Sequence, residues 1–450
     1  MALIISVSGI RGIVGEELSP QVACDFGCAF GTYLAGAPVV LGRDTRPSGS
    51  MLRSALVGGL AGCGCRVFDL GVVSTPGVAL MVRRLEAAGG VVLTASHNPQ
   101  AWNGIKFLSG DGWAFPPEQA GGIRQIFETK AFALTDAVHA GQATHQSGTH
   151  EHHVEAVLAG IDADRIRAQR FRVVLDSING AGGAGGAMLL VQLGCEVVHV
   201  NAEPTGLFAH EAEPTAENLT SLCEAVRQHG AHIGLAQDPD ADRLALVDEK
   251  GGYIGEEYTL ALAARHVLSS RPGPCAANLS TSRMIDEVAR SAGDCKVYRT
   301  PVGEAHVARA VIENQCVIGG EGNGGVIDPR VVPVRDSFAA IGLVLDLLAA
   351  SGKTLSQLVD EIPRFAMIKQ KFPCDSERIA DVLDEVRRAY ADEPLNDADG
   401  IRIDWPEGWV HVRGSNTEPI MRIIAEAADA SAAETLAGRV RKIADRVLGH

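Results

Sequence analysis

The sequence predicts an α/β fold of three similar mixed-sheet domains followed by a smaller C-terminal α+β domain, the four set around a central cleft. Short apolar strands alternate with helix-length segments as far as about residue 366, which is the βαβ pattern. Beyond Phe365 a charged helix, strand-like runs and a last amphipathic helix replace it. A loop of unusual composition also recurs once in each of four segments, centred on Ser96, Asp238, Glu321 and Ser415. The 450 residues exceed one core, since domains run to about 100–200 residues, and a cleft between domains can gather loops from all four.

The first domain is expected over 1–150. Its run PVVLGRDTRPSG, from Pro38, reads as a strand breaking into an arginine-rich loop, an anion site. Helices at 52–61 and 77–88 alternate with strands at 66–70 and 91–93. The polar segment around His145, His150, His152 and His153 reads as a linker rather than a metal site. The second domain, 151–255, carries FRVVLDSINGAGG, CEVVHV and HIGLAQ, and the third, 256–366, carries CAANLS, KVYRTPVG and CVIGG. In the last, 367–450, a helix at 376–390, a strand at 400–404, the run WVHVRGSNTEPIMRIIAEA and a helix at 432–447 follow a hinge placed at 364–370.

Composition limits the function. The hydrophobic share of 46% and charged share of 21% are those of a globular α/β protein, and 51 glycines fit many tight strand-to-helix turns. A net charge of −15 repels nucleic acid and anionic membranes, so any phosphate must be held by local cations. MALIISVSGIRG lacks a basic leader with a long apolar core, and no apolar run reaches about 18 residues. A cytoplasmic protein acting on small molecules is expected, with no nucleic-acid or membrane partner, as a monomer or homodimer. The ten scattered cysteines read as reduced, buried thiols.

Four loops carry the chemistry. Thr94-Ala95-Ser96-His97-Asn98-Pro99 empties an apolar strand into small and polar residues, presenting the Ser96 hydroxyl with Lys106 ten residues on, a phosphoryl acceptor. Asp238-Pro239-Asp240-Ala241-Asp242-Arg243 sets three carboxylates at alternate positions between apolar strands, where they can converge on a hard cation. A calcium hand is disfavoured, because Arg243 stands where that loop needs glycine and the flanks are β rather than helical. Gly319-Gly320-Glu321-Gly322-Asn323-Gly324-Gly325 allows close ligand approach and offers Glu321 and Asn323 to sugar hydroxyls. In the fourth, Arg413 with backbone N–H groups and the hydroxyls of Ser415 and Thr417 makes an anion cradle.

Together ISVSGIRG, GRDTRPSG, TASHNP with NGIK, DPDADR, TPVG, GEGNGG and RGSNTEP, in this order and spacing, resemble the α-D-phosphohexomutase family over essentially the whole chain. The resemblance implies a phosphoserine at Ser96 and Mg²⁺ on Asp238, Asp240 and Asp242, with the phosphoserine oxygen as a further ligand. It also implies interconversion of hexose 6-phosphate and hexose 1-phosphate through a hexose 1,6-bisphosphate, which doubles as activator. Lys106 and Arg11 become acid/base or charge-stabilising partners, Arg243 a second cation, and His97, Glu304, Glu321 and Asn323 substrate contacts. The idle phosphate lies in Arg413, Ser415, Asn416 and Thr417, and the last domain is mobile.

Two departures, in the sugar loop and at Glu304, and two further likenesses bear on the substrate. Many members read Gly-Glu-X-Ser-Gly-His where this chain has Asn323 and Gly325. Glu304, after TPVG, resembles the acidic residue of phosphoglucosamine mutases, and Gly-Asn-Gly-Gly with Ser-Asn-Thr-Glu-Pro resembles the archaeal-type subgroup. AEPTAENL, 212–219, is closer to phosphomannomutase/phosphoglucomutase members. A phosphoglucosamine mutase is therefore expected. The alternatives are a phosphomannomutase/phosphoglucomutase of dual or broad specificity, a Mg-dependent phosphatase with Asp238 as nucleophile, and a silent sugar-phosphate binder.

Overall fold

The computed structural model describes residues 3–6, 9–415 and 419–449. They form four sheets, one in each of four consecutive segments. The first runs in the order Ile4–Ser6, Gly9–Ile13, Trp102–Ser109, Gly89–Leu93, Val39–Arg43, Val67–Val72, Ala143–His145. The second is Leu244–Val247, Ile233–Gln237, Arg172–Asp176, Glu196–Val200, and the third is Val297–Thr300, Cys275–Asn278, Ile318–Glu321, Gly325–Ile327. All three mix parallel pairs with an antiparallel hairpin. The fourth, Ala366–Pro373, Ile420–Ala427, Gly408–Gly414, Ile401–Trp405, Leu395–Asn396, is antiparallel throughout.

Strands such as Gly89–Leu93 and Ile233–Gln237 are buried at every residue because helices cover both faces, which is why they read as unbroken apolar runs. One contiguous core joins the first three segments, from Val40 through Leu175 and Leu235 to Leu262 and Phe338. The C-terminal segment has its own, built from Phe372, Val382, Ile401, Val412, Ile423 and Leu436. Polar contacts attach it to the third segment: Arg402 Nη1 donates to Leu279 O at 2.6 Å, and Arg283 N donates to Glu426 Oε1 at 2.9 Å.

Each of the four loops closes an antiparallel hairpin. The last pairings before the loops are Leu93 with Ile105, Gln237 with Leu244, Glu321 with Gly325 and Gly414 with Met421.

Several local expectations shift. The helix expected at 77–88 is Thr75–Arg84: Ser74 caps it by accepting from Gly77 N at 3.1 Å, and Glu86 turns left-handed (φ 49°) beyond its end. The histidine segment is not a linker but the strand Ala143–His145 and the helix Thr149–Leu158, with His153 buried and its Nε2 2.7 Å from Asp336 Oδ2. Residues expected in the hinge form the strand Ala366–Pro373, paired over its whole length with Ile420–Ala427. All ten cysteines are unpaired, six buried and four half-buried. Among the described residues no helix is long and apolar enough to cross a membrane.

Candidate active site

Ser96 sits in the first hairpin loop, buried, with a left-handed backbone (φ 48°) that a non-glycine residue adopts at a cost of about 1–2 kcal/mol. A network holds it there. Ser96 N donates to Thr94 Oγ1 at 2.9 Å, Thr94 Oγ1 donates to Asp44 Oδ2 at 2.7 Å, and Arg46 Nη2 donates to Ser96 O at 2.7 Å. The same guanidinium reaches Asn98 O (2.6 Å), Pro99 O (2.8 Å) and Trp102 O (2.8 Å) and pairs with Asp44 at 3.1 Å. The arginine-rich loop read as an anion site is thus, at Arg46, a clamp on backbone carbonyls. Arg46 has no donor left for an anion, and Arg43 Nη1 donates to Asp44 O.

The loop geometry aims the Ser96 hydroxyl at the second hairpin. Ser96 Oγ donates to Asp238 Oδ2 at 2.9 Å, while Asp238 Oδ1 accepts from Asp242 N (3.0 Å) and Arg243 N (3.1 Å), folding that loop back on itself. Asp238, Asp240 and Asp242 are fully buried, with one carboxylate oxygen from each lying within 4.8 Å of the others. Burial, then the charges of Asp242 and Asp240, pushes the Asp238 carboxyl well above the usual carboxylate range. Burial works the same way on Asp240, but the charge and hydrogen bond of Lys106 and the Thr75 hydroxyl overcome it and hold that carboxyl low. Lys106 Nζ is 2.7 Å from Asp240 Oδ2 and 3.5 Å from Asp242 Oδ2. Asp240 Oδ1 and Asp242 Oδ1 are buried without any hydrogen-bond partner. Orphaned carboxylate oxygens beside a third carboxylate are the donor set of a hard divalent cation, so these residues fit one.

The third hairpin lies back to back with the second. Leu244 N donates to Gly324 O at 3.0 Å, and a Cβ on Gly324 (φ 84°) would fall 2.5 Å from Leu244 O, so this position needs glycine for both conformation and approach. Glu321 is buried; its Oε1 accepts from Asn278 Nδ2 (2.7 Å) and Gly303 N (3.1 Å), and its Oε2 from Arg335 Nη1 (2.6 Å). Arg335 Nη2 donates to Asp242 Oδ2 at 2.6 Å, joining the sugar-type loop to the carboxylate loop. Glu304, at the start of the helix Glu304–Glu313, accepts from Arg335 N at 2.9 Å, and its pKa is raised, by burial first.

A cavity of about 260 Å³ opens over these loops, its walls including Arg11, His97, Lys106, Arg243, Glu304 and Asn323. Arg11 is steered by Asn98, whose Oδ1 accepts from Arg11 Nη1 at 2.9 Å. Burial and the charges of Arg243 and Arg11 push the His97 pKa down to about 2, so this imidazole is neutral, 3.4 Å from Ser96 Oγ. Arg243 Nε is buried without a hydrogen-bond partner, 3.8 Å from Asp242 Oδ1.

Among the described residues of the fourth hairpin, none lines that cavity. Arg413 Nε lies 3.1 Å from Asp399 Oδ2, which accepts from Val302 N of the TPVG turn at 3.0 Å, so the arginine is tied to the cavity rim rather than its floor. Ser415 closes the strand pair by donating from its N to Ile420 O at 2.9 Å. Asn416 and Thr417 lie outside the described residues.

Four domain models of the phosphoglucomutase/phosphomannomutase family match consecutively, the three α/β/α domains at 3–134, 151–252 and 256–365 and the C-terminal domain at 367–443. The chain belongs to this family. Family membership makes it an intramolecular phosphotransferase, an isomerase. It is 40% identical over 435 residues to a phosphoglucomutase/phosphomannomutase of Thermococcus kodakarensis, covering 95% of each chain. It is also 40% identical over 431 residues to a probable phosphoglucosamine mutase of Methanopyrus kandleri, covering 95% of this chain and 94% of that one. The fold superposes on a phosphoglucomutase/phosphomannomutase family protein of Burkholderia thailandensis with a TM-score of 0.87 at 26% identity, over 99% and 98% of the two chains.

Sequence reasoning missed Arg335, Thr75 and Asn278. Thr75 N donates to Asp240 O at 2.9 Å and Thr75 Oγ1 to Asp240 Oδ2 at 2.6 Å, but Ser-Thr-Pro reads only as a helix start. Arg335 left one local signal: an arginine ending the apolar run VVPV, directly before the N-cap Asp336 of a helix that carries no charge from Ser337 to Leu345.

Proposed function

We propose that this phosphohexomutase interconverts hexose 6-phosphates and hexose 1-phosphates through a phosphoserine at Ser96 and a hexose 1,6-bisphosphate, with glucosamine phosphate as the preferred substrate. The observation that carries the reading is Ser96 Oγ at 2.9 Å from Asp238 Oδ2, beside two carboxylate oxygens with no partner. A Mg²⁺ ion held by Asp238, Asp240 and Asp242, with a phosphoserine oxygen as fourth donor, would draw charge off the transferring phosphoryl group.

The chain's own groups supply the rest. Arg243 and Arg11 face the cavity as fixed cations beside the serine, where phosphoryl oxygens gather charge. Burial disfavours the Lys106 ammonium, but Asp240 and Asp242 outweigh it and raise its pKa, so Lys106 acts as a charge-stabilising cation. Glu321, held by Asn278, Gly303 and Arg335, and Asn323 on the next turn grip sugar hydroxyls. Arg413 with Ser415, Asn416 and Thr417 takes the idle phosphate. The bisphosphate reorients in the cleft so that each end meets Ser96 in turn. Glu304 supports the amino sugar, because a carboxylate in the cavity wall suits a 2-ammonium group better than a 2-hydroxyl.

The test is intact mass of the purified protein after incubation with glucose 1,6-bisphosphate, followed by side-by-side assays of glucosamine, mannose and glucose phosphates. The expected results are a species heavier by one phosphate that Ser96→Ala abolishes, and the fastest turnover with the amino sugar. No phosphorylated species with any hexose bisphosphate would make the chain a silent binder. Phosphate release that survives Ser96→Ala but not Asp238→Asn would make it a phosphatase. Equal rates on mannose and glucose phosphates would favour the dual-specificity reading.

A further inference from the structure

We infer that Arg335 is a positioning residue that couples the cation site to the sugar site: its fixed charge weakens cation binding at Asp242 while its fork orients Glu321 for the sugar. The inference rests on the proposed phosphohexomutase reading for its sugar arm only.

Arg335 is 7% exposed and stands between carboxylates from two hairpins. Nη2 donates to Asp242 Oδ2 and Nη1 to Glu321 Oε2, each at 2.6 Å, and Glu304 Oε2 is 3.6 Å from Nη2. The guanidinium fork meets the two carboxylates with separate nitrogens, both at short distance, whereas the single Lys106 Nζ, shared between Asp240 and Asp242, reaches one at 2.7 Å and the other only at 3.5 Å. Glu321 is pinned on its other oxygen by Asn278 and Gly303, so Arg335 completes the set that fixes its rotamer. A unit positive charge in hydrogen-bond contact with a cation ligand opposes a divalent ion at that ligand.

The space that Arg335 fills is itself informative. A Cβ on Gly325 would fall 2.2 Å from Arg335 Cδ and 2.9 Å from Cγ, so the arginine stem occupies the volume a side chain at 325 would take. At position 325 this chain has glycine, and the stem of Arg335, which directly precedes the N-cap Asp336 of the helix Ser337–Ser351, fills that volume. Gly325 and Arg335 are therefore sterically coupled: the missing side chain at 325 leaves the volume that the arginine stem takes.

The experiment compares Arg335→Met, Arg335→Lys and the parent. Mn²⁺ binding to purified protein is followed by electron paramagnetic resonance, and KM for glucosamine 6-phosphate by coupled assay. Arg335→Met is expected to bind Mn²⁺ at least about tenfold more tightly, as the opposing charge is gone, and to raise KM at least about tenfold as Glu321 loses its partner. Arg335→Lys restores the charge without the fork, so Mn²⁺ affinity returns towards the parent value while KM stays raised. That split is one a merely structural role does not produce. Unchanged or weaker Mn²⁺ binding in folded Arg335→Met overturns the charge coupling, and a parent-like KM in Arg335→Lys overturns the orienting role. If Arg335→Met does not fold, Arg335→Lys decides alone, since parent-like Mn²⁺ affinity with raised KM is required. If the parent turns over no sugar phosphate, the functional reading fails while the Mn²⁺ comparison still decides the coupling. Gly325→His is expected to lower the melting temperature, and Gly325→His with Arg335→Ala to recover part of the loss; no recovery would refute the shared volume.

Discussion

Replacing Arg46 with methionine removes the clamp on the serine loop while keeping most of the buried stem. Of its five contacts, those to Ser96 O and Asp44 are buried, whereas Asn98, Pro99 and Trp102 stand where their carbonyls can turn to water. The unrecovered loss is one charge-assisted bond and one ion pair stripped of its cation, and breaking such a pair costs about 3–5 kcal/mol. The stranded Asp44 carboxyl, whose pKa burial already raises, responds by taking a proton, which places the effect at the lower end. A local loss of about 3 kcal/mol corresponds to roughly a hundredfold fall in amide protection. Hydrogen-exchange mass spectrometry on peptides spanning 94–104 measures this directly, through Thr94 N, Ser96 N and Asn98 N, all bonded within the loop or to Gly104. Peptides of the C-terminal segment, with its separate core, serve as the internal reference. The expected companion is slower phosphorylation of Ser96 with little change in inorganic phosphate affinity. Unchanged protection at 94–104 together with lost phosphate affinity would refute the clamp and reinstate Arg46 as an anion ligand.

Other outcomes follow from single contacts. The Glu257 carboxyl, half-buried with its Oε2 accepting from Ser282 N at 3.0 Å, is pushed from 4.5 to about 8 by burial. The folded chain then holds a proton that the unfolded chain has released between those values, so this group's contribution to stability falls as pH rises through that window and is lowest above it. Glu257→Gln should flatten the fall in melting temperature between about pH 5 and about pH 8 relative to the parent; a parent-like slope would exclude Glu257 as its source. Gly324→Ala must force both a left-handed backbone and a 2.5 Å approach to Leu244 O, so the two hairpins should part, with KM for sugar phosphate rising at least about tenfold and about 1–3 kcal/mol of stability lost. An unchanged KM would show that the contact is dispensable. Arg402→Met removes the 2.6 Å bond to Leu279 O that ties the C-terminal sheet to the third segment, and should raise KM more than it lowers kcat; the reverse split would argue that this docking serves the chemical step.

The parts of the site that could be read from the chain are those whose chemistry is contiguous. DPDADR shows its three carboxylates because a hairpin loop of six residues must present them together, and GEGNGG shows Glu321 because its glycines mark a turn between buried strands. The strands were visible for the same reason, being short apolar runs bounded by turn residues. Partners brought from afar leave no spacing to read: Thr75 is 165 residues from Asp240, and Arg335 is 93 from Asp242. The reading of GRDTR as an anion site failed on a different point, since an arginine beside small polar residues looks the same whether its acceptors are phosphate oxygens or backbone carbonyls. Only the fold, by laying residues 96–102 across Arg46, distinguishes the two. The helix ends shifted because left-handed residues such as Glu86 stop a helix without any glycine or proline to announce it. Gly325 unites these cases. In the sequence it is one more glycine of a flexible loop; in the fold it is the vacancy through which Arg335 reaches both Asp242 and Glu321, so its meaning resides in a residue ten positions away that enters from another element.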